Sequence, residues 1–279
     1  MSLEDDFQSA RRIIAEANSV LAEAFYSPGA LVISNKSDGT KVTNLDQLIS
    51  DFVVKYCWHY GRTLLSEENG STAVYGQDGM FILDPVDGTH NLIEAKELNL
   101  GVSLAGVSLG LWLQSPVMGV VGFPLLGSPP ATYMAYKDGG AWREYAGEFN
   151  RLEIDTRPTR GVVFVTTSQS QSVDRFIATL RDMGFTPFRT DGAVFKACAL
   201  VDPALPELYR HPTFAMPEGP VVGFVSRRVH LHDVAAVTCI VREAGGVATE
   251  PKNAEGKQVW AAANNPEVHS LLMEAATIS

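Results

Sequence analysis

The stretch from Phe81 to Asn91 constrains this chain most, because an apolar run ends there abruptly in polar and turn-forming residues. The bulky and unbroken run Phe81–Leu83 predicts a strand that is covered on both faces. Pro85 lacks the backbone N–H that a continuing ladder would need, so we expect the strand pairing to stop at this point.

Two carboxylates and a glycine follow the predicted strand. Gly88 permits a tight turn, and Thr89 can cap a helix that begins after it. Asp84 and Asp87 would then face the free N–H groups at the start of that helix. Oxygen ligands beside such N–H groups suit a hard cation that binds a phosphate, so this stretch predicts a Mg²⁺ site with a phosphate ligand.

Three segments of the chain carry a resemblance to a known family. Asp84-Pro85-Val86-Asp87-Gly88-Thr89 resembles the first signature of the inositol monophosphatase family, which comprises Mg²⁺-dependent, lithium-sensitive phosphatases. Ser66-Glu67-Glu68 stands upstream of it, and His232-Asp233-Val234-Ala235-Ala236 stands downstream, in the order that this family shows. Segments between them also fit, so the resemblance covers most of the chain.

The resemblance implies a fold as well as an activity. We expect an α/β (α+β) sandwich with layers in the order α-β-α-β-α, built from two packed halves as in inositol monophosphatase and fructose-1,6-bisphosphatase. Residues 1–148 would form an N-terminal half that carries most metal ligands. Residues 149–279 would form a C-terminal half that completes the metal and substrate site. A chain of 279 residues is long enough to bury the core of two such halves.

The resemblance also implies a role for each site residue. Asp46 would approach the metal cluster and pair with Thr89, which orients or deprotonates the attacking water, and Glu67 belongs to the same catalytic set. Amides of Gly88 and Thr89 would hold phosphate oxygens. Two or three Mg²⁺ ions would be bound by the following groups: Glu67, Asp84, the carbonyl of Val86, Asp87 and Asp233.

Three of these carboxylates have simpler explanations. Asp46 lies in the first turn of a predicted helix, where an acidic residue compensates the helix dipole. Glu67 could belong to a solvated loop, and Asp233 could cap the helix that begins after His232. The chain also departs from the family, which often has glycine at the position of Ser66 and usually has tryptophan at the position of His232.

A rival pattern predicts a different chemistry. Gly106-Val107-Ser108-Leu109-Gly110 matches the nucleophile elbow of a serine hydrolase. An elbow needs a strand, a sharp turn and then a helix, whereas Leu111-Trp112-Leu113 continues as strand or turn. A further alternative is a non-catalytic regulatory member of the same fold. Complete metal ligands argue against it, because clustered charges without a partner are costly to keep.

Charge and composition limit the partners of the chain. The net charge is −10, so we expect no nucleic-acid surface, which would need clustered Lys and Arg. A small phosphorylated substrate is compatible with that charge, because a cation can stand between carboxylates and phosphate. The uncharged stretch 99–128 is broken by glycines and predicts two strands joined by a turn at Gln114–Pro116, so we expect no membrane span.

The cysteines and the N-terminus predict the compartment. Cys57, Cys198 and Cys239 are odd in number, widely spaced and set in apolar surroundings, which favours buried free thiols over disulfides. The acidic start lacks the apolar core of a secretory signal. We therefore expect a cytoplasmic protein, and we also expect a homodimer.

The substrate class depends on the segment before Asp233. The path to this residue includes the proline-rich stretch Pro203–Pro220, followed by Arg227 and Arg228, where inositol-specific relatives have a carboxylate. If either arginine faces the cleft, we expect a substrate with a second anionic group rather than inositol 1-phosphate. The alternative is a surface loop with solvated arginines.

Overall fold

The computed structural model describes residues 2–36, 39–59, 61–68, 73–75, 77–127, 129–166, 171–208, 214–252, 254 and 256–278. The helices are α1 (Leu3–Tyr26), α2 (Asn44–His59), α3 (Thr89–Glu97), α4 (Gln171–Asp182), α5 (Ala193–Val201), α6 (Leu205–Leu208), α7 (Leu231–Glu243) and α8 (Pro266–Ile278). The strands are β1 (Ile33–Asn35), β2 (Lys41–Thr43), β3 (Thr63–Ser66), β4 (Met80–Asp87), β5 (Gly106–Leu113), β6 (Ser115–Phe123), β7 (Ala131–Tyr136), β8 (Gly140–Tyr145), β9 (Glu148–Leu152), β10 (Val162–Val165), β11 (Thr186–Arg189), β12 (Val221–Val229), β13 (Val247–Ala248) and β14 (Gln258–Ala263).

Two large sheets organise the described residues. The first has seven strands in chain order from β3 to β9, with β3 parallel to β4 and every later neighbour antiparallel. The second has five strands in the order β11-β10-β12-β14-β13. In this sheet β10 is parallel to both of its neighbours, and β14 is antiparallel to β12 and β13. A separate ribbon joins β1 to β2.

Buried side chains show how the helices cover these sheets. Helices α1 and α2 pack on one face of the seven-stranded sheet, where Ile13 and Ile49 belong to the same core cluster as Leu109. Helices α5 and α7 lie between the two sheets, and their cluster includes Phe195. Helices α4 and α8 cover the far face of the five-stranded sheet. The layers therefore run α-β-α-β-α, which confirms the predicted fold class.

The middle layer fits closely because glycines face it. A methyl group at Gly119 would overlap the carbonyl oxygen of Ala236, and one at Gly110 would come within 3.0 Å of the Ala236 backbone nitrogen. The missing side chains allow α7 to lie directly against β5 and β6. Gly110 belongs to the G-x-S-x-G pattern, so close packing explains one of the two glycines of that pattern.

The stretch 99–128 contains the two predicted strands, β5 and β6, which pair antiparallel. They meet at Gln114, whose φ of 64° makes the turn. The first of them begins only at Gly106. Across the described helices, none combines the length and apolar character needed to cross a bilayer.

Two other predictions about the chain can be compared with the fold. Cys57, Cys198 and Cys239 are buried free thiols, which confirms that prediction. Strand β9 ends the seven-stranded sheet at Leu152. The division of the chain into halves at residues 148 and 149 stays a prediction.

Candidate active site

The signature stretch forms the end of β4 and the start of α3. We expected the strand pairing to stop at Pro85. This prediction is wrong, because β4 runs to Asp87. The proline instead falls within an irregularity of the pairing with β5, which shifts register between Asp84 and Asp87. Gly88 then turns the chain with a φ of 78°. The second strand of the sheet therefore carries both carboxylates at its C-terminal end.

We predicted that Thr89 caps the following helix, and this prediction is wrong. Gly88 holds the cap position without a side-chain bond, and Thr89 is already the first helical residue. Its hydroxyl lies 2.9 Å from the carbonyl oxygen of Val86 and 3.3 Å from Oδ1 of Asp46. A hydroxyl has one proton, so it can donate to only one of these acceptors at a time.

Asp46 is a buried carboxylate at the start of α2. Its Oδ2 accepts hydrogen bonds from the backbone amide and the hydroxyl of Thr43, at 2.8 and 2.6 Å. Burial raises the pKa of Asp46 to about 6, and the charges of Glu67 and Glu68 act in the same direction, while the Thr43 hydrogen bonds oppose it. The structure thus brings Thr89 together with Asp46, a carboxylate whose pKa is raised to about 6.

Glu67 follows the parallel strand β3 directly. Its amide donates to the carbonyl of Leu83 at 3.1 Å, which aligns it with the end of β4. Its carboxylate accepts from Lys36 Nζ at 2.8 Å, and the same ammonium also pairs with Glu68. Burial tends to raise the pKa of Glu67, but the charges of His232 and Lys36 outweigh burial and leave that pKa below its usual range.

Asp84 is a buried carboxylate at the end of β4, with 2% of its surface exposed. Its Oδ1 accepts from the amide of Val86 at 3.2 Å. Burial raises its pKa well above the ordinary range, and the charges of Glu67, Asp87 and Asp233 raise it further. These four carboxylates therefore act on one another as a cluster.

Asp87 joins the seven-stranded sheet to the middle helical layer at the site. Its two carboxylate oxygens accept from the amides of Ala193 and Val194, at 2.8 and 3.1 Å, where α5 begins. Gly192 permits this approach, because a methyl group there would come within 2.8 Å of Asp87 Oδ2. Burial raises the pKa of Asp87 to about 7, and the charge of Asp233 adds to the effect.

Asp233 lies in the first turn of α7, which begins at Leu231. Its Oδ2 accepts from the His230 amide at 2.6 Å, so the carboxylate does take part in capping, as its simpler explanation predicted. His232 Nε2 lies 3.4 Å from its other oxygen, and the rings of His230 and His232 stack with centroids 5.1 Å apart. The same carboxylate acts electrostatically on Asp84, so capping does not remove it from the cluster.

Clustered carboxylate oxygens suit a hard divalent cation. In this structure, however, the carboxylates do not converge on one point. Among the described residues, no three histidine, cysteine, aspartate or glutamate side chains converge closely enough to hold an ion. Protein donors explain this, because Glu67, Asp87 and Asp233 each direct oxygens to Lys36, to α5 amides or to His230. Burial and the neighbouring carboxylates raise the pKa of Asp84, and a bound cation would oppose that shift.

Sequence reasoning missed three parts of this site. Lys36 reaches Glu67 from the segment between β1 and β2, and no motif marked it. The amides of Ala193 and Val194 carry no side-chain signal. Lys196 did carry one, because it is the single charged residue in the otherwise apolar helix α5.

The serine-hydrolase elbow is not formed. Ser108 lies in the middle of β5, is 1% exposed, and pairs with Asp84 of β4. The strand continues to Leu113 and is followed by β6 rather than by a helix. The strand, turn and helix that an elbow requires are therefore missing at Gly106–Gly110.

The layered α-β-α-β-α fold, with buried carboxylates where β4 meets the starts of α3 and α5, defines the class of protein. Comparisons with known proteins agree with it. Residues 3–278 match the inositol monophosphatase family. The chain belongs to this family.

Sequence identity to individual relatives is low. The fructose-1,6-bisphosphatase/inositol-1-monophosphatase of Methanothermobacter thermautotrophicus is 25% identical over 261 residues, which are 87% of this chain and 86% of that protein. The IMPase structure from Thermotoga maritima aligns with a TM-score of 0.74 at 21% identity, covering 98% of this chain and 97% of that one. Nus factor SuhB of Salmonella typhimurium is 34% identical over 88 residues, 30% of this chain. The match spans about a third of SuhB, 32% of its length.

Proposed function

We propose that this chain is a Mg²⁺-dependent phosphatase that hydrolyses a phosphate monoester of a small polyol, sugar or nucleotide. One observation carries the proposal. Asp84 is buried near four other carboxylates whose charges raise its pKa, and one of them, Asp87, accepts hydrogen bonds from the first amides of α5. Such an arrangement favours a cation and an anion bound side by side. Family membership supports a phosphatase.

The resemblance implies two or three Mg²⁺ ions. Five groups of the chain would bind them: Glu67, Asp84, the carbonyl of Val86, Asp87 and Asp233. When bound, Mg²⁺ supplies a more acidic water and neutralises phosphate charge. The carbonyl of Val86 has two lone pairs, so a bond from the Thr89 hydroxyl leaves one free.

Thr89 and Asp46 would activate the attacking water. The Thr89 hydroxyl can accept a proton from that water while it donates its own proton to Asp46, which lies 3.3 Å away. A pKa of about 6 suits Asp46 to this role, because a base is most effective when its pKa lies near the working pH.

The phosphate would be held by backbone groups. Gly88 and Thr89 stand at the start of α3, where the first N–H groups have no partner within the helix. These amides would bind phosphate oxygens and favour the charge that develops as the ester bond breaks. Little covalent chemistry then falls to side chains.

The arginines before Asp233 bear on the substrate. Arg227 and Arg228 do not form the surface loop that was one alternative, because both lie in strand β12. Arg227 is half-buried and Arg228 is exposed. Part of the preceding stretch Pro203–Pro220 lies outside the described residues. If either arginine faces the cleft, a substrate with a second anionic group is favoured over inositol 1-phosphate.

A phosphate-release screen tests the proposal. Inositol, sugar and nucleotide monophosphates and bisphosphates are each assayed with Mg²⁺, with EDTA and with millimolar lithium. We expect turnover only with Mg²⁺, inhibition by lithium, and none in Asp84→Asn. Full turnover in EDTA would remove the metal from the mechanism. Cleavage of p-nitrophenyl acetate without metal would favour a serine hydrolase.

The same screen separates catalysis from a regulatory role. A folded wild-type chain that binds Mg²⁺ but releases no phosphate from any of these esters would favour a non-catalytic member of the fold. A relative that bears the name Nus factor makes this a relevant control. The homodimer, the cytoplasmic location and the absence of nucleic-acid binding belong to our proposal. Light scattering, cell fractionation and an RNA-binding assay would check them.

A further inference from the structure

Lys196 is a buried lysine that the catalytic scheme above does not use. Only 1% of its surface is exposed, and every other residue of α5 is uncharged. Burying an ammonium is costly unless nearby charges compensate it. Burial lowers the pKa of Lys196 to about 8, while the charges of Asp87, Asp191 and Asp233 work against that lowering.

The position of Lys196 follows from the helix that carries it. Side chains on a helix lean towards its N-terminus, and Lys196 stands three residues after Ala193, whose amide donates to Asp87. Its ammonium lies 4.9 Å from the centroid of the Phe224 ring on β12, which adds a cation–π contact. The side chain is thus held in place on the α5 side of the carboxylate cluster.

Lys36 provides a useful contrast. Its ammonium makes direct ion pairs with Glu67 and Glu68 and is 25% exposed, so it sits at the rim of the cluster. Lys196 instead acts on Asp87 and Asp233 from inside the protein. Solvent and salt screen a rim charge much more than a buried one.

We propose that Lys196 is a built-in cation of the site, whose fixed charge balances Asp87 and Asp233 and competes with the divalent ion that these residues would bind. The inference rests on the proposed function. Without metal, the charge of Lys196 would stabilise Asp87 and Asp233 in the folded protein. With metal, the same charge would make the ion bind at these residues more weakly than it would beside a neutral residue at position 196.

Calorimetric titration with Mg²⁺ alone, without substrate, tests this inference. Lys196→Met removes the charge at similar length, and Lys196→Arg keeps it. We expect Lys196→Met to bind Mg²⁺ about tenfold more tightly, as repulsion between an ammonium and a divalent ion in a partly buried site would give. Lys196→Arg should behave like the wild type. The gain in melting temperature on adding Mg²⁺ should be largest in Lys196→Met.

Each outcome has a separate meaning. Equal Mg²⁺ affinity in the wild type and Lys196→Met would overturn this inference and leave the proposed phosphatase intact. Weaker binding in Lys196→Met would also overturn it and would indicate a structural role. A wild type that binds no Mg²⁺ would overturn both proposals. Lys196→Gln makes the same comparison if the methionine variant does not fold.

Discussion

Asp87 Oδ1 accepts a hydrogen bond of 2.8 Å from the backbone amide of Ala193, which lies 106 residues further along the chain. The bond connects the end of a central strand in the seven-stranded sheet to the first residue of a helix in the middle layer. The candidate site is therefore assembled only when both parts of the chain have packed together.

Thr89→Ala should lower kcat by about 100-fold, because it removes the hydroxyl that relays a proton to Asp46. Thr89→Ser keeps the hydroxyl and should retain most of the activity. Phosphate release, measured with the best substrate of the screen, compares the two variants. Wild-type kcat in Thr89→Ala would remove this residue from proton transfer.

Asp233→Asn should reduce turnover to background while the protein stays folded. The amide oxygen of asparagine can still accept from the His230 amide, so the helix cap survives, but one negative charge is lost from the cluster. Glu153→Gln is the matched control, because Glu153 is exposed on the surface. Activity and melting temperature are measured together, and near-normal activity in Asp233→Asn would exclude it as an ion ligand.

The metal-free protein should be more stable near pH 5.5 than near pH 7.5. The folded-state pKa values of Asp46 and Asp87 are raised to about 6 and about 7, mainly by burial, and that of Asp84 is raised as well. The unfolded chain releases these protons near pH 4, so stability is lost as the pH rises from about 4 through 7. His230 and His269, whose pKa values burial lowers, oppose this trend.

Melting temperatures in EDTA at three pH values check the direction of this effect. Asp87→Asn should show a smaller dependence on pH than the wild type, because one of the groups with a raised pKa is gone. Lys196 adds the reverse trend only above pH 8, where folding favours its neutral form. A flat or rising profile between pH 5.5 and 7.5 would contradict the prediction.

Asp202→Ala should destabilise the protein by about 3 kcal/mol, since it leaves one partner of a buried ion pair alone. Asp202 is 4% exposed and accepts from the Tyr133 hydroxyl at 2.7 Å and from Arg143 Nη1 at 2.6 Å. Tyr133→Phe removes only the hydrogen bond from the hydroxyl to the carboxylate and should cost about 1.5 kcal/mol. Denaturant unfolding gives both values, and an equal cost would show that the arginine does not depend on Asp202.

Sequence reasoning succeeded where the signal is local. The apolar run before Asp84 predicts a buried strand, which β4 confirms. The carboxylates after it mark the strand end where we propose the site. The resemblance supplied the contact between Asp46 and Thr89, which no spacing rule would give. It also supplied the α-β-α-β-α layers.

Sequence reasoning failed where a contact is made by backbone or by distant chain. A backbone amide such as that of Ala193 cannot be recognised from the residue type. Its hydrogen bond to Asp87 depends on how α5 packs against the end of β4. Thr89 was misplaced because the left-handed Gly88 moves the helix start by one residue. Lys196 could have been noticed, since a lone charge in an apolar helix requires compensating charges in the folded protein.

The middle layer limits how the protein can move. Helices α5 and α7 share a single core with side chains from both sheets, including Val121 and Phe224, and Asp202 connects this layer to Tyr133 and Arg143. Rotation of one sheet against the other would open that core to water. We therefore expect the two sheets to move as one body, and we expect any rearrangement on ligand exchange to occur at the rim where Lys36 pairs with Glu67.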